Sequence, residues 1–394
     1  MMGRGKTTAA INYMSRWSSE KCFLYITPFL QEVDRVCEQC DFDQPDSDHV
    51  TKLAELKRMM RRNRNVASTH SLFFLLDDEA LQLARDKHYT LIVDEAMNVV
   101  SRVPVTNSDL DAITTHFASV DETDGRITWA DPEYTGRFSG YKDLADMGSL
   151  YIVGSSLLSI MRPDTISAFD EVIMMTYRFM GQYQRAYLDF FGFQYRLCGV
   201  DTETMTFTDM PDQPPAVDFG SLIRIVDDER MNRIGNAPFS LSKAWYDRRS
   251  RNNDEMRELR NDLNSFFRRR VNAPSGSQLW TCFKSDAPKL YGVNNRFASS
   301  FLHLSAKASN AYRERTAVAY LVNRFVDPNI GKFFATHGVQ VDMDEFALGE
   351  MLQWIWRSAV RDGRPIDLYI PSKRMRDLLM QWIETMNNGG DANG

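Results

Sequence analysis

The sequence has no apolar run close to the roughly 20 residues that a membrane-spanning helix needs. Its mean hydropathy of -0.40 agrees with that absence. The N-terminus also has no basic stretch followed by an apolar run, so the sequence predicts no secretory signal. These absences exclude the membrane and secreted classes, and we expect a cytoplasmic protein with no membrane partner.

Cysteine is scarce, and five residues do not fit a framework of paired disulfides. Cys37 and Cys40 form a CxxC, but no second pair follows at the spacing of a zinc finger. We therefore predict reduced, structural thiols.

The sequence also lacks an excess of positive charge, because its formal net charge is -6. This argues against a broad nucleic-acid-binding surface but leaves room for a local basic track.

The length of 394 residues is too great for one ordinary core, so two domains are expected. Hydrophobic residues make up 43% and charged residues 25%, which is typical of a globular protein. A stretch containing Pro211, Pro214 and Pro215 predicts a linker between the domains. The expected order is an N-terminal domain over 1–200, the linker over 201–219, a C-terminal domain over 220–386 and a disordered tail over 387–394.

Short apolar stretches alternate with helix-length segments, which indicates parallel sheets with crossover helices. The predicted strands are Cys22–Thr27, Val66–Ser68, Thr90–Val93, Leu150–Val153, Glu171–Thr176, Leu222–Val226, Leu279–Phe283, Phe301–Leu304, Ala317–Leu321 and Ile366–Ile370. In the second half the predicted helices are Ser242–Asp247, Asp254–Arg270, Glu345–Arg361 and Ser372–Thr385. The sequence thus predicts the α/β class.

The N-terminus carries the end of a phosphate-binding loop, and its residues are Gly3, Gly5, Lys6, Thr7 and Thr8. Glycines let backbone N–H groups point at phosphate, the lysine reaches the β- and γ-oxygens, and the Thr7 hydroxyl binds Mg²⁺. The first glycine of the pattern GxxxxGK[ST] would fall before the first residue, so we expect that the true N-terminus is missing. The alternative interpretation is a chance loop at a terminus.

The apolar stretch Tyr89–Val93 is followed directly by Asp94 and Glu95. A strand that ends in two acids beside a phosphate loop is typical of a Walker B motif, in which the first acid holds Mg²⁺. The second acid polarises the attacking water as a general base. The alternative is a strand that simply ends in polar residues.

The order of these motifs resembles the DEAD/DEAH-type helicases of superfamily two, and more closely the helicase-like ATPases of bacteriophages and prophages. Blocks that carry the resemblance are 25–35, 65–73, 89–96, 171–179, 301–325 and 353–361. The resemblance implies two RecA-like α/β domains of the P-loop NTPase type, with mostly parallel sheets flanked by helices. It also implies nucleic-acid contacts, which fall on Thr27, Pro28, Thr69, His70 and Asn310.

The last block resembles motif six of these helicases, and it supplies Gln353, Arg357 and Arg361 as catalytic candidates. The arginines fall four and eight positions after the glutamine, where the usual motif has four and seven, and Trp356 replaces a glycine. On one helix, positions four apart share a face. The resemblance implies that one arginine, supplied from the second domain across a cleft, stabilises the γ-phosphate charge. The alternative is a pair of solvated charges on an amphipathic helix.

Together these features predict an ATP- and Mg²⁺-dependent helicase or translocase that acts on DNA, with RNA as the other track, in phage replication, recombination or repair. Its place would be the host cytoplasm, with replication or recombination proteins as partners. Basic clusters at 57–64 and 248–270 are either phosphate contacts or solvated helix faces. The rival hypotheses are a truncated module that binds nucleic acid or a partner without hydrolysis, and another P-loop ATPase such as a packaging motor.

Overall fold

The computed structural model describes residues 5–46, 51–209, 217–306 and 310–388. Up to residue 209 the helices and strands are α1 (Lys6–Trp17), β1 (Cys22–Thr27), α2 (Leu30–Cys40), α3 (Lys52–Arg61), β2 (Val66–Thr69), α4 (His70–Phe73), α5 (Asp78–Asp86), β3 (Tyr89–Asp94), β4 (Val100–Val103), α6 (Asn107–Ala112), β5 (Ala118–Val120), β6 (Ile127–Trp129), α7 (Ser139–Asp146), β7 (Leu150–Val153), β8 (Ser156–Ile160), α8 (Asp164–Ser167), β9 (Glu171–Met175), α9 (Tyr183–Phe190), β10 (Gly199–Asp201) and β11 (Thr206–Thr208). From residue 217 they are α10 (Phe219–Leu222), β12 (Ile223–Ile225), α11 (Glu229–Asn232), α12 (Lys243–Asp247), α13 (Asp254–Ser265), β13 (Gln278–Thr281), β14 (Ala317–Tyr320), α14 (Pro328–Thr336), α15 (Met343–Ile355), β15 (Ile366–Tyr369) and α16 (Lys373–Asn387).

The chain divides into two compact units. The N-terminal unit contains residues 5–209 together with 326–341, and the C-terminal unit contains the rest of the described chain. The segment 326–341 therefore belongs to the unit built by the first half of the sequence. Its helix α14 buries Ile330, Phe333 and Phe334 in that unit's core. Strand β11 lies inside the segment 201–219 that the sequence predicts as a linker, and its hairpin partner β10 ends at the first residue of that segment, Asp201.

The N-terminal unit is built on a sheet with the order β2-β1-β3-β9, in which every pair of neighbours is parallel. All six residues of β3 are buried, as expected for a strand covered on both faces. Helices α1 and α2 pack on one face through residues such as Met14 and Val36. Helices α3, α5, α9 and α14 pack on the core that contains Leu24 and Leu91. The predicted parallel α/β architecture is confirmed here.

Strands β4 to β8 form a segment inserted between β3 and β9, and they pair in antiparallel sheets with the orders β4-β8-β7 and β5-β6. The prediction that Leu150–Val153 is a strand is confirmed, but its implied place in the parallel sheet is wrong. Val153 pairs with Ser156, so β7 and β8 are joined by a two-residue turn with Gly154 at φ 57. Such a turn forces an antiparallel hairpin, because a parallel neighbour needs a long crossover.

The C-terminal unit has its own sheet, with the order β12-β15-β14-β13 and parallel pairing throughout. Every residue of β13 and β14 is buried. Large aromatic side chains fill the unit, and Tyr320 packs on Trp354 with ring centroids 5.6 Å apart. Both units are therefore α/β folds with parallel sheets flanked by helices, as the sequence predicts.

Two predicted elements of the C-terminal unit are wrong in their extent. Phe301–Leu304 makes one bridge, between Phe301 and Trp280, instead of a strand. The carbonyl of Leu302 instead accepts a hydrogen bond from the Trp354 indole, at 3.2 Å. The predicted helix Glu345–Arg361 is Met343–Ile355, because Ser358 turns to an extended conformation and the Ala359 N–H donates to the Arg315 carbonyl at 3.0 Å.

Gly235 provides a direct test of packing in the C-terminal unit. A Cβ at this position would lie 1.9 Å from the Pro371 carbonyl oxygen and 2.2 Å from its carbon, so backbone would have to move. We expect Gly235→Ala to lower the free energy of unfolding by about 3 kcal/mol, measured by urea denaturation. Gly276→Ala is the matched control, since a Cβ there meets nothing within 4 Å. Equal stability of both variants would contradict the packing described.

Candidate functional site

Of the predicted phosphate-binding loop, the structure describes Gly5 to Thr8, at the N-terminus of α1. Gly5 has φ 77, a left-handed conformation that glycine adopts without strain, and its carbonyl accepts the first helical hydrogen bond from Ala9 at 2.8 Å. Gly3 lies outside the described residues. Thr7 and Thr8 are half-buried in the first turn. The local conformation thus matches the glycine–lysine start of a helix that the motif requires.

Lys6 reaches from the helix to the carboxyl edge of the sheet. Its Nζ donates to the carbonyl of Thr176 at 2.6 Å, just after β9, and lies 5.7 Å from the centre of the Tyr177 ring. Asp94 at the end of β3 is in register with Met175 at the end of β9. Lys6 and Asp94 therefore meet at the same edge of two neighbouring strands.

Asp94 is buried, with 7% of its surface exposed. Its carboxylate accepts a hydrogen bond from the Tyr25 hydroxyl at 2.8 Å. Burial raises the pKa of Asp94 to about 7, and the negative charge of Glu95 adds to the rise. The Tyr25 hydrogen bond and the positive charge of Lys6 act in the opposite direction. A buried carboxylate of this kind is poised to take a cation, because a nearby positive charge removes the penalty of ionising it.

Glu95 follows with φ 65, in the left-handed region that residues other than glycine rarely adopt. Its N–H donates to the Met175 carbonyl at 3.0 Å, so the adjacent strand holds this conformation in place. The side chain is half-buried. Strained backbone at a strand end is common at functional sites. This conformation breaks the alternation of side-chain directions along β3 and keeps Glu95 at the sheet edge beside Asp94.

Four of the residues expected to contact nucleic acid lie at the ends of the adjacent strands β1 and β2. Thr27 and Thr69 are in register at the ends of β1 and β2. Thr27 is fully buried and His70 is 8% exposed, whereas Pro28 is half-buried. The Thr69 Oγ1 accepts the N–H of Leu72 at 3.4 Å and caps α4. A ligand at this edge would therefore meet mainly backbone groups of these residues.

In the C-terminal unit the expectation that Gln353, Arg357 and Arg361 share one helix is wrong. Gln353 lies in α15, but Arg357 follows its end and Arg361 is exposed in a separate 3₁₀ turn, for the reason given above. The Arg357 guanidinium donates to the Leu304 carbonyl at 3.3 Å. Asn310 begins a short 3₁₀ turn.

Sequence reasoning missed two residues near Arg357. Burial lowers the pKa of His303, and the positive charges of Lys284 and Arg357 lower it further. Lys284 follows β13 and His303 follows the bridge to β13. Residues after parallel strands gather at one edge, where ligands of α/β sheets bind. That rule is the only sequence signal that would have pointed to them.

The basic cluster at 57–64 is largely neutralised by acids of the same unit. Its ion pairs are Lys57 with Asp77 and Glu79, Arg58 with Glu55, Arg61 with Glu79 and Arg64 with Asp43. In the second cluster, Arg268, Arg269 and Arg270 are exposed at the end of a π-helical turn that follows α13. None of these three arginines forms an ion pair with another described residue, so they fit phosphate contacts better than the first cluster does.

The side chains at the sheet edge include few that could hold the expected Mg²⁺. No cluster of three or more metal-ligating side chains occurs among the described residues. Mg²⁺ commonly binds through one or two carboxylates together with substrate phosphates and water, so the Asp94 carboxylate and the Thr7 hydroxyl fit a nucleotide-bound ion. All five cysteines are free, and no helix in the described ranges is long and apolar enough to cross a membrane.

The two units have a RecA-like α/β fold. An apo structure of XPD superposes on the chain with a TM-score of 0.50 at 12% identity, over 95% of this chain and 92% of that one. A second structure, named XPD helicase, gives a TM-score of 0.46 at 10% identity, over 96% and 89%. At 12% identity, the likeness to the apo structure shows the fold alone.

The chain belongs to the YonV family. It is 34% identical over 405 residues to the SPbeta prophage-derived uncharacterized protein YonV of Bacillus subtilis (strain 168). The alignment covers 98% of this chain and 97% of that protein. The YonV middle domain matches residues 100–159, the inserted segment, and the YonV C-terminal Rossmann-like domain matches 217–383. The expected resemblance to prophage proteins is confirmed by this relative. The DEAD/DEAH assignment stays a prediction.

Proposed function

We propose that this protein is an ATP-dependent motor of the helicase or translocase type that acts on DNA. The observation that carries the proposal is the meeting of Lys6, Asp94 and Glu95 at the carboxyl edge of one parallel sheet. Lys6 bonds to the carbonyl after β9, and Asp94 ends the neighbouring strand. A phosphate-binding lysine beside a buried acid and a second acid is the arrangement that nucleotide hydrolysis requires.

Each of these residues has a proposed task. The backbone N–H groups of Gly5 to Thr8 and the Lys6 ammonium bind the phosphates. Bound Mg²⁺, held by Thr7 and Asp94, would offset the charge of the β- and γ-phosphates. Glu95 accepts a proton from the water that attacks the γ-phosphorus, and the bond to ADP breaks.

In the C-terminal unit, Gln353, Arg357 and Arg361 are proposed as catalytic residues on the resemblance to motif six. An arginine is suited to this role because its planar guanidinium can bind two phosphate oxygens at once. Thr27, Pro28, Thr69, His70 and Asn310 are proposed to line the nucleic-acid track.

The first test is the ATPase rate of the full chain with and without single-stranded DNA, in the wild type and in Lys6→Ala. We expect DNA to stimulate the wild-type rate and the variant to lose about 100-fold, since a phosphate contact formed in the transition state is removed. RNA in place of DNA identifies the preferred track.

Lys52→Ala is the matched control, because Lys52 is an exposed lysine at the start of α3 in the same unit. It should retain the wild-type rate. A wild-type chain that binds DNA but hydrolyses no ATP would replace the motor with a binding module. Hydrolysis that DNA leaves unchanged would indicate a different P-loop ATPase.

A further inference from the structure

A β-hairpin formed by β10 and β11 packs on α1, the helix that begins at the proposed phosphate loop. The Asn12 side-chain amide donates to the carbonyl of Met205 at 3.0 Å. The rings of Tyr13 and Phe207 meet edge to face, with centroids 5.9 Å apart. The hairpin is thus anchored to the helix that would carry the nucleotide.

The tip of the hairpin reaches the loop itself through Met205. A Cβ built on Gly5 would lie 2.7 Å from the Met205 sulfur and 3.4 Å from its methyl carbon. Met205 has φ 51, a conformation that costs a non-glycine residue free energy. The turn is held by Asp201, whose carboxylate accepts the N–H groups of Glu203 at 2.9 Å and Thr204 at 3.2 Å. The methionine is therefore presented to the loop by a fixed turn.

The chemistry of the hairpin does not suit phosphate. Residues 199–209 contain no lysine, arginine or histidine, and they include Asp201, Glu203 and Asp209. Negative charge repels a triphosphate. The Met205 thioether is instead suited to a flat aromatic ring, because sulfur–aromatic contacts are favourable and methionine adapts to the ring's shape. The neighbouring Thr204 and Thr206 hydroxyls, 2.8 Å apart, can accept hydrogen bonds from amino or hydroxyl groups.

We propose that Met205 packs against the nucleobase of the bound nucleotide, so that the hairpin supplies the base-contacting part of the site. The γ-phosphate would face Asp94 and Glu95, which leaves the nucleoside at the opposite end of the phosphate chain. The hairpin tip adjoins that chain at Gly5. This inference rests on the proposed function, because it needs a nucleotide whose phosphates lie on Gly5 and Lys6.

The experiment measures the affinity of the full chain for ATP and for inorganic triphosphate, both with Mg²⁺, by isothermal titration calorimetry. We expect Met205→Ala to weaken ATP binding about five- to tenfold and to change triphosphate binding by less than about twofold. Met205→Leu, which keeps the apolar bulk, should recover most of the ATP affinity. Met147→Ala is the control, because Met147 is an exposed methionine of the same unit.

Three results would overturn the inference while the proposed function stands. They are an unchanged ATP affinity in Met205→Ala, an equal loss for ATP and triphosphate, and a gain in ATP affinity, which would mean that the hairpin obstructs the loop. A wild-type chain that binds neither compound would overturn the proposed function instead, and this inference with it. Lys6→Ala distinguishes a failure of the inference from a failure of the proposed function, since this variant should weaken the binding of both ATP and triphosphate.

Discussion

Glu95→Gln is expected to lower the rate of ATP hydrolysis by about 100- to 10,000-fold, the range for loss of a general base. The amide keeps the size of the side chain but cannot accept the proton of the attacking water. The affinity for ATP should stay near the wild-type value, because phosphate binding is assigned to the loop and to Lys6. The measurement is a single-turnover hydrolysis assay combined with ATP titration.

Two further variants give this test its controls. Glu20→Gln changes an exposed glutamate outside the site and should leave the rate unchanged. Glu95→Gly should be as inactive as Glu95→Gln. Its free energy of unfolding should be about 1 kcal/mol higher than that of the wild type, because glycine adopts φ 65 without the steric cost that glutamate incurs. Hydrolysis at the wild-type rate in Glu95→Gln would remove Glu95 from the mechanism. A lost ATP affinity would assign it to binding.

The two parallel sheets were predictable because their strands are continuous apolar runs, as in Cys22–Thr27 and Tyr89–Asp94. The inserted antiparallel segment was not recognised, because it also contains a short apolar run of this kind. Leu150–Val153 is also a short apolar run, and period alone cannot separate a hairpin strand from a strand buried in a parallel sheet. The turn at Gly154 was the available signal, since a glycine with a left-handed φ fits a two-residue hairpin loop.

The site was predictable only as far as local motifs extend. Lys6, Asp94 and Glu95 stand out because each belongs to a motif of residues that are neighbours in the sequence. Tyr25 is 69 positions from the aspartate it bonds, and Thr176 is 170 positions from Lys6, so no local pattern connects them.

Arg357 and Arg361 were misplaced on one helix because a tertiary hydrogen bond ends that helix. The bond joins the Ala359 N–H to the Arg315 carbonyl, and no local sequence signal announces it. Apolar and helix-forming residues continue beyond Ile355, where the helix Met343–Ile355 ends. Helix propensity alone therefore predicts a helix that is too long.

Asp94→Asn is expected to stabilise the ligand-free protein while it abolishes hydrolysis. Burial raises the pKa of Asp94 to about 7 from an ordinary value of 3.8. Between these pH values the folded protein keeps a proton that the unfolded chain has released. The free energy of unfolding therefore falls as pH rises through this window, and above pH 7 the full penalty is about 4 kcal/mol.

Asparagine removes this penalty, because the neutral amide has nearly the shape of the protonated acid and can still accept the Tyr25 hydrogen bond. At about pH 8 we expect the variant to gain up to about 4 kcal/mol over wild type, and at about pH 4 almost nothing. Urea denaturation at both pH values, without Mg²⁺ or nucleotide, measures the difference. Asp111→Asn, at an exposed position, should gain nothing at either pH. Equal stability of Asp94→Asn and wild type at about pH 8 would contradict a buried, costly carboxylate.

The same linkage predicts a proton signal on nucleotide binding. A bound Mg²⁺ would be the largest charge near Asp94 and would lower its pKa well below 7. At about pH 6 the binding of preformed Mg²⁺–ATP should then release close to one proton from the wild type and none from Asp94→Asn. Calorimetric titrations in buffers of different ionisation enthalpy count that proton. Release by both proteins would assign it to another group, whereas release by the wild type alone would tie the stability cost of Asp94 directly to its use as a metal ligand.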